Sequence, residues 1–384
     1  MKTLLVHNYY GSRGGEDVSF DSLENLLINK NIDVVRFTKN LRDLDTSGKK
    51  IKNMLSFFYS RDTLSELEAL LKKEKPDIAN VHNIYPLITP SVYRILHRYN
   101  IPVVQTVHNY RLFCSNGLCL KNGSTCTRCI SNSFRNIFNI CREDKKFYDF
   151  LLGASIYLLR KKTLNLIRHF IALSNFQKDL LIKSGIDGNK ITVIRNIRYT
   201  EDSKLKPSGK REYFLYVGRL SQEKGIVQLA GMFENMPGMR LKILGEGPLF
   251  DLITERIKIK QIENIEMAGF VSGFKKAEIV SKAHAVIIPS LCFEVAPLVI
   301  CESFQAGIPV IVKNSGSLSE NIEEGKNGYK YNDFAELKNI LDKLSGMNQG
   351  QALEISGRCI QSYNNLFDPD KNTGQLVNLF KKFL

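Results

Sequence analysis

The feature that most constrains this chain is a rhythm. Short runs rich in Val, Ile and Leu recur along its whole length, each followed by a segment with helical spacing. In the first half they fall at residues 3–6, 33–37, 78–81, 102–107, 170–173 and 191–194. In the second half they fall at 213–217, 241–244, 265–268, 285–288 and 309–312. A strand that is apolar at consecutive positions needs cover on both faces. Segments such as 64–71, 177–183 and 335–344 repeat apolar residues at helical intervals and supply that cover. The pattern predicts parallel sheets built from βαβ units. The rhythm breaks once, at EDSKLKPSGKR (residues 201–211), which is charged, contains Pro207 and Gly209 and has no apolar period. Such a stretch reads as a linker, and 384 residues suffice for two domains. The expected organisation is an N-terminal domain over 1–205 with a cysteine-bearing insert at 114–141, a C-terminal domain over 206–365, and a closing helix over 366–384.

Two such Rossmann-like α/β domains face each other across a cleft, and ligands of open parallel sheets bind beyond the carboxyl ends of the strands. The residues that follow each strand are therefore the informative ones. The first strand leads into a loop containing Gly14 and Gly15 ahead of a helical pattern, a geometry that offers backbone N–H groups to phosphate. His108 follows the 102–107 strand. The 213–217 strand ends in Gly218-Arg219, and Lys224-Gly225 comes shortly after, so two cations can converge on one diphosphate. The 241–244 strand leads into Gly245-Glu246-Gly247-Pro248-Leu249-Phe250. Phe250 stands where a dinucleotide fingerprint has its third glycine, which disfavours NAD and leaves room for a mononucleotide packed on Gly245. Finally, Glu294 and Glu302 stand eight residues apart in an apolar setting around Pro297. A helix starting at Pro297, the position where proline is favoured, would put Glu294 in its entry loop and Glu302 inside it.

Taken together and in this order, Gly14-Gly15, His108, Gly218-Arg219…Lys224-Gly225, Gly245-Glu246-Gly247-Pro248 and Glu294…Glu302 with Gly307-Ile308-Pro309-Val310 resemble the signature of glycosyltransferase family four, of the bacterial polysaccharide-biosynthesis type. The resemblance spans nearly the whole chain and implies a GT-B fold, a closing helix over 366–384 that crosses back to the first domain, and retaining transfer from a nucleotide-sugar. It implies that Glu302 binds the donor ribose and Glu294 the hydroxyls of the transferred sugar. Arg219, Lys224 and the main-chain N–H groups of Ala296, Leu298 and Val299 would face the diphosphate. Gly14, Gly15 and Gly245 would allow close approach of the donor, and His108 would meet the sugar or the reacting centre. The family needs no metal or other cofactor for this chemistry. A UDP-sugar is favoured over a GDP-sugar, and the expected acceptor is a lipid-linked saccharide. The alternatives are another GT-B enzyme, such as a nucleotide-sugar epimerase, or a basic nucleic-acid-binding protein. The latter lacks any recognisable nucleic-acid motif, and no nucleic acid is expected as partner.

Charge and cysteines add two further expectations. The formal charge is +15, and residues 1–210 carry 34 Lys and Arg against 19 Asp and Glu, while the remainder is balanced at 20 and 20. An excess confined to one half suggests an anionic partner on that side. Residues 145–162 combine aromatic and aliphatic side chains with basic clusters at both ends, as suits the surface of an anionic membrane. No run of apolar residues is long enough to span a membrane, and the N-terminus reads as a strand rather than a leader. The expected location is the cytoplasm, peripheral at the inner face of the cytoplasmic membrane. Five cysteines crowd residues 114–141. Cys126 and Cys129 form a C-x-x-C pair that Cys114 and Cys141 could complete around structural zinc.

Overall fold

The structure is a computed structural model that describes residues 1–11, 13–41, 61–131, 134–138, 141, 146–198 and 211–384. It divides into two compact units, the first formed by Met1–Lys121, Cys126–Tyr199 and Pro369–Leu384, and the second by Thr200–Asp368 together with the short stretch Asn122–Thr125.

In the first unit the chain runs β1 (Lys2–Tyr9), α1 (Gly15–Asn29), β2 (Asp33–Asn40), α2 (Arg61–Glu74), β3 (Ile78–Val81), α3 (Ser91–Arg98) and β4 (Val103–Thr106). The cysteine segment follows, with short strands β5 (Leu120–Lys121) and β6 (Ser124–Thr125) and the single turn α4 (Arg135–Phe138). Then come α5 (Lys146–Leu166), β7 (His169–Ala172), α6 (Asn175–Lys183) and β8 (Ile191–Val193). The sheet order is β2-β1-β3-β4-β7-β8, parallel throughout. Strand succession therefore reverses between β1 and β3. There the strand ends are tied together, Asn8 N–H to the Asn83 carbonyl at 2.8 Å and Asn83 Nδ2 to the Asn8 carbonyl at 2.9 Å.

The second unit runs β9 (Tyr213–Val217), α7 (Ile226–Phe233), β10 (Leu241–Leu244), α8 (Phe250–Ile259), β11 (Ile265–Gly269), α9 (Gly273–Ser281), β12 (Ala283–Ile288), α10 (Leu298–Gln305), β13 (Val310–Lys313), α11 (Ser317–Glu320), β14 (Gly328–Tyr331), α12 (Phe334–Ser345) and α13 (Gln349–Leu366). Its order is β11-β10-β9-β12-β13-β14, again all parallel, with the reversal between β9 and β12. β9 shows how the two layers form. Phe214 and Tyr216 enter the larger core with α7, α10 and α12 residues, while Tyr213 and Leu215 enter the smaller one with Val280, Ala306 and Ile308. Alternation across the pleat sends neighbouring side chains to opposite faces.

The strand reading matches the longer elements closely and misses three, the two-residue strands β5 and β6 and the edge strand β14. β14 holds Gly328, Tyr329, Lys330 and Tyr331 between turn residues at the sheet edge, so its apolar signal is weak. The linker reading at 201–211 lies outside the described residues except for Arg211. Arg211 is no linker residue: its guanidinium donates to the carbonyls of Ser281 and Ala283 at 3.1 Å and to Ser356 Oγ at 2.6 Å. The helix α14 (Pro369–Lys381) packs on α1 of the first unit, burying Leu376, Leu379 and Phe380.

Leu215 is fully buried in the central strand of the second unit. Leu215→Ala is expected to cost about 2–5 kcal/mol, read as a lower denaturant midpoint for the transition of the second unit.

Candidate functional site

The second unit gathers its chemistry at the reversal between β9 and β12, where open parallel sheets bind ligands. Three loops converge there. The loop after β9 carries Arg219 and Lys224, the loop after β10 carries Gly245, and the loop after β12 carries Glu294. The first two are stitched by Gly218 N–H to the Leu244 carbonyl at 3.0 Å and Leu220 N–H to the Glu246 carbonyl at 2.9 Å. This contact admits only glycine at 245, where φ is +144° and an added Cβ would stand 1.8 Å from the Gly218 carbonyl oxygen. Gly225 is bound likewise, with φ +70° and an added Cβ 2.1 Å from the Pro289 oxygen. Leu291 N–H bonds the Glu223 carbonyl at 2.8 Å and ties the first loop to the third.

Lys224 Nζ meets Glu294 Oε1 at 2.6 Å, and Ser290 Oγ donates to the same oxygen at 2.5 Å. Ser317 Oγ, on α11, holds the Glu294 main-chain carbonyl at 2.6 Å. Burial pushes the Glu294 carboxyl up, but the Lys224 ammonium and the hydrogen bonds outweigh it and leave it below the usual carboxylate range. For Lys224 burial acts downward, and the Glu294 charge overrides it and raises the ammonium. Arg219 is exposed and makes no ion pair among the described residues.

Pro297 is not the first helical residue. It precedes the helix with ψ 124°, and α10 starts at Leu298. Ala296 thus lies in the entry loop, and Leu298 and Val299 occupy the first turn, whose N–H groups lie outside the helical ladder. Glu302 sits on the next turn and pairs through Oε2 with Lys276 Nζ of α9 at 2.6 Å. Lys276, Ser290 and Ser317 belong to the arrangement although no motif marks them. Only Ser290, directly after a strand, had a positional signal.

In the first unit, Gly14 precedes α1 with its N–H on Asp17 Oδ2 at 2.9 Å, and Gly15 opens the helix. No protein atom lies within 4 Å of a Cβ added at Gly14, so packing does not require glycine there. Buried His7 Nε2 meets Asp17 Oδ1 at 2.8 Å. His108, half-buried after β4, meets His82 Nδ1 through Nε2 at 2.7 Å, the rings stacked with centroids 5.0 Å apart. Burial, then the His7 charge, depresses the His108 imidazole to about 3. Glu16, next to Gly15, is held above the ordinary carboxylate range by burial, with His7 and Arg111 pulling the other way.

The thiols of Cys114, Cys119, Cys126, Cys129 and Cys141 line one pocket, and all are unbridged. The expected zinc ligands Cys114, Cys126, Cys129 and Cys141 are thus neighbours. However, among the described residues no group of three His, Cys, Asp or Glu is arranged to hold a metal ion. The closest coupling involves Cys119, outside that set. A thiol hydrogen bond between Cys119 and Cys114 depresses Cys114 to about 7 and raises Cys119.

Because Glu294 is depressed, its pair with Lys224 stabilises the fold above the unfolded carboxylate value of about 4.3, and this contribution is lost as pH falls through the folded value. Lys224→Met is expected to cost about 3 kcal/mol at neutral pH and to flatten this acid-side decline. Chemical unfolding at a series of pH values checks both.

A family model described as "Glycosyltransferase Family 4" matches residues 14–201, and one described as "Glycosyl transferases group 1" matches 198–349. The glycogen synthase of Mycobacterium tuberculosis is 33% identical over 148 residues, covering 36% of this chain and 35% of that protein. The match thus spans about a third of that relative's length. The putative colanic acid biosynthesis glycosyltransferase WcaL of Salmonella typhimurium is 25% identical over 227 residues, covering 55% and 56%. The crystal structure of Anabaena HepE in complex with UDP superposes with a TM-score of 0.68 at 15% identity, covering 100% of both chains, which establishes the shared fold. With two parallel-sheet units and consecutive family matches from residue 14 to residue 349, the chain belongs to the group 1 and family 4 glycosyltransferases of GT-B fold.

Proposed function

We propose that the protein is a retaining glycosyltransferase that moves a hexose or N-acetylhexosamine from a UDP-sugar to a lipid-linked saccharide in cell-surface polysaccharide biosynthesis. The observation that carries this is the loop cluster at the β9–β12 reversal, where Lys224, Glu294 and the start of α10 are held together with Glu302 one turn further on. In this reading Glu302 accepts the ribose hydroxyls. Arg219, Lys224 and the N–H groups of Ala296, Leu298 and Val299 balance the charge that grows on the departing diphosphate, as fixed cations and dipoles do. These groups take the place of a metal ion. Glu294 accepts hydroxyls of the transferred sugar, and Gly245 lets the nucleotide lie close to the backbone. In the first unit, His108 is assigned to the sugar and Gly14 and Gly15 to close approach of the donor. The bond from the anomeric carbon to the diphosphate breaks, the acceptor oxygen bonds on the same face, and its proton passes to the departing phosphate. HepE, whose structures hold UDP and UDP-glucose, supports the choice of nucleotide, and the WcaL likeness supports the polysaccharide setting.

A peripheral membrane contact is part of the proposal. No described helix is long and apolar enough to cross a membrane. One face of α5 nevertheless leaves Phe147, Phe150, Tyr157 and Leu158 between 41% and 61% exposed, followed by exposed Lys161 and Lys162. An apolar stripe ending in cations suits an anionic interface.

Thermal shift in EDTA with a panel of UDP- and GDP-sugars tests the donor site. A UDP-sugar at 100 times its Kd should stabilise the wild type by about 2.7 kcal/mol, and Glu302→Ala should lose that shift. Binding that survives in Glu302→Ala, or that requires a divalent cation, contradicts the assignment. Flotation with phosphatidylglycerol vesicles tests the membrane contact. Salt-sensitive binding is expected, weakened in a Phe150→Asp, Leu158→Asp variant, and binding indifferent to both changes counts against α5.

A further inference from the structure

The buried polar row behind His108 fixes more than the position of its ring. Asn80 Nδ2 donates to the Val104 carbonyl and to Thr106 Oγ1, both at 3.0 Å. A main-chain carbonyl can only accept, so the amide nitrogen of Asn80 must face it and Oδ1 must face the other way. Oδ1 lies 2.8 Å from His82 Nε2. That nitrogen therefore carries a proton. Burial, then the neighbouring His108 and His7, drives the His82 imidazole well below its ordinary value, so the ring is neutral. A neutral imidazole has one N–H, which leaves His82 Nδ1 as an acceptor. Its partner at 2.7 Å is His108 Nε2, which must then be the donor. His108, also kept neutral by burial, is left with a bare lone pair on Nδ1, and no hydrogen bond from the described residues occupies it.

We infer that Asn80 and His82 are positioning residues that lock His108 as the Nε2–H tautomer and make its Nδ1 a dedicated hydrogen-bond acceptor. The inference rests on the reading of His108 as a sugar-facing residue for its functional meaning, though not for the tautomer itself. An acceptor at Nδ1 takes an O–H from a sugar hydroxyl. It cannot donate to a glycosidic or phosphate oxygen, so His108 is excluded as the general acid toward the leaving group. The Val104 carbonyl, part of the β4 main chain, is the fixed end of the row. The polarity of a catalytic-domain side chain is thereby set by backbone two strands deep in the sheet. The ring nitrogen opposite a fixed partner is commonly defined in this way.

The test is nitrogen–proton correlation spectroscopy on the full chain with isotope-labelled histidine, with the His108 signals among the six histidines identified by their loss in His108→Asn. The expected result is a single His108 species with the proton on Nε2. In His82→Leu the two His108 tautomers should interconvert and average. In His82→Gln, whose amide can donate to Asn80 Oδ1 and accept from His108, the single species should return. A His108 proton found on Nδ1 in the wild type, or a His108 pattern unchanged in His82→Leu, overturns the inference. The wild-type spectrum decides even where a variant fails to fold. A parallel comparison of UDP-glucose and UDP affinities for His108→Ala separates the two levels. An unchanged ratio removes His108 from the sugar while the tautomer assignment stands, and a lost preference for UDP-glucose together with an Nδ1 proton does the reverse.

Discussion

Everything chemical in this molecule depends on the direction of its strands. In a parallel sheet every strand delivers its carboxyl end to the same edge, so each crossover adds one more loop to a common rim. Where the order of strands reverses, two adjacent loops diverge and leave a gap between them. In the second unit that gap lies between β9 and β12, and Gly245, Lys224 and Glu294 all reach it from different strands. The backbone contact between Gly245 and Gly218 sets how closely the rim can close. Had residue 245 a side chain, the two loops could not share the hydrogen bonds that hold Arg219 and Lys224 in place.

The two units use polar groups in contrasting ways. The second unit pairs ions: Lys224 with Glu294 at 2.6 Å and Lys276 with Glu302 at 2.6 Å. A buried carboxylate without a nearby cation is costly, and each acidic residue of the site has one. The first unit keeps His82 and His108 uncharged and orders them by neutral hydrogen bonds along the row Asn80, His82, His108. Ion pairs fix where charge sits, whereas a neutral row fixes a direction.

The alternation of apolar runs with helical segments was enough to read the fold, because parallel strands buried on both faces are apolar at successive positions. β14 escaped because an edge strand between turns needs little apolar sequence. The candidate residues that follow strands, such as Arg219, Lys224, His108 and Gly245, stand out in the sequence for the same topological reason. Those that act across the fold were not. Lys276 sits on a helix among other lysines, and only the packing of α9 on α10 brings it to Glu302. His82 ends a strand but belongs to no motif, and its importance lies in a partner 26 residues away. The start of α10 at Leu298 rather than Pro297 reflects the extended ψ that proline takes here. Cys119 lies outside the C-x-x-C pair and no spacing marks it, yet proximity couples it to Cys114.

The helix α14 has a consequence for how the chain is made. It belongs to the first unit, where Lys30 meets Asp370 at 3.0 Å, Leu376 and Phe380 are buried, and Phe383, just past the helix, packs at a tilt against His169. Yet it is synthesised after every strand of the second unit. On the ribosome the N-terminal sheet can assemble early, but one apolar flank of α1 stays uncovered until residues beyond 368 emerge. Until the whole second unit has been translated, the surface of α1 that α14 covers waits for a partner encoded more than 300 residues downstream.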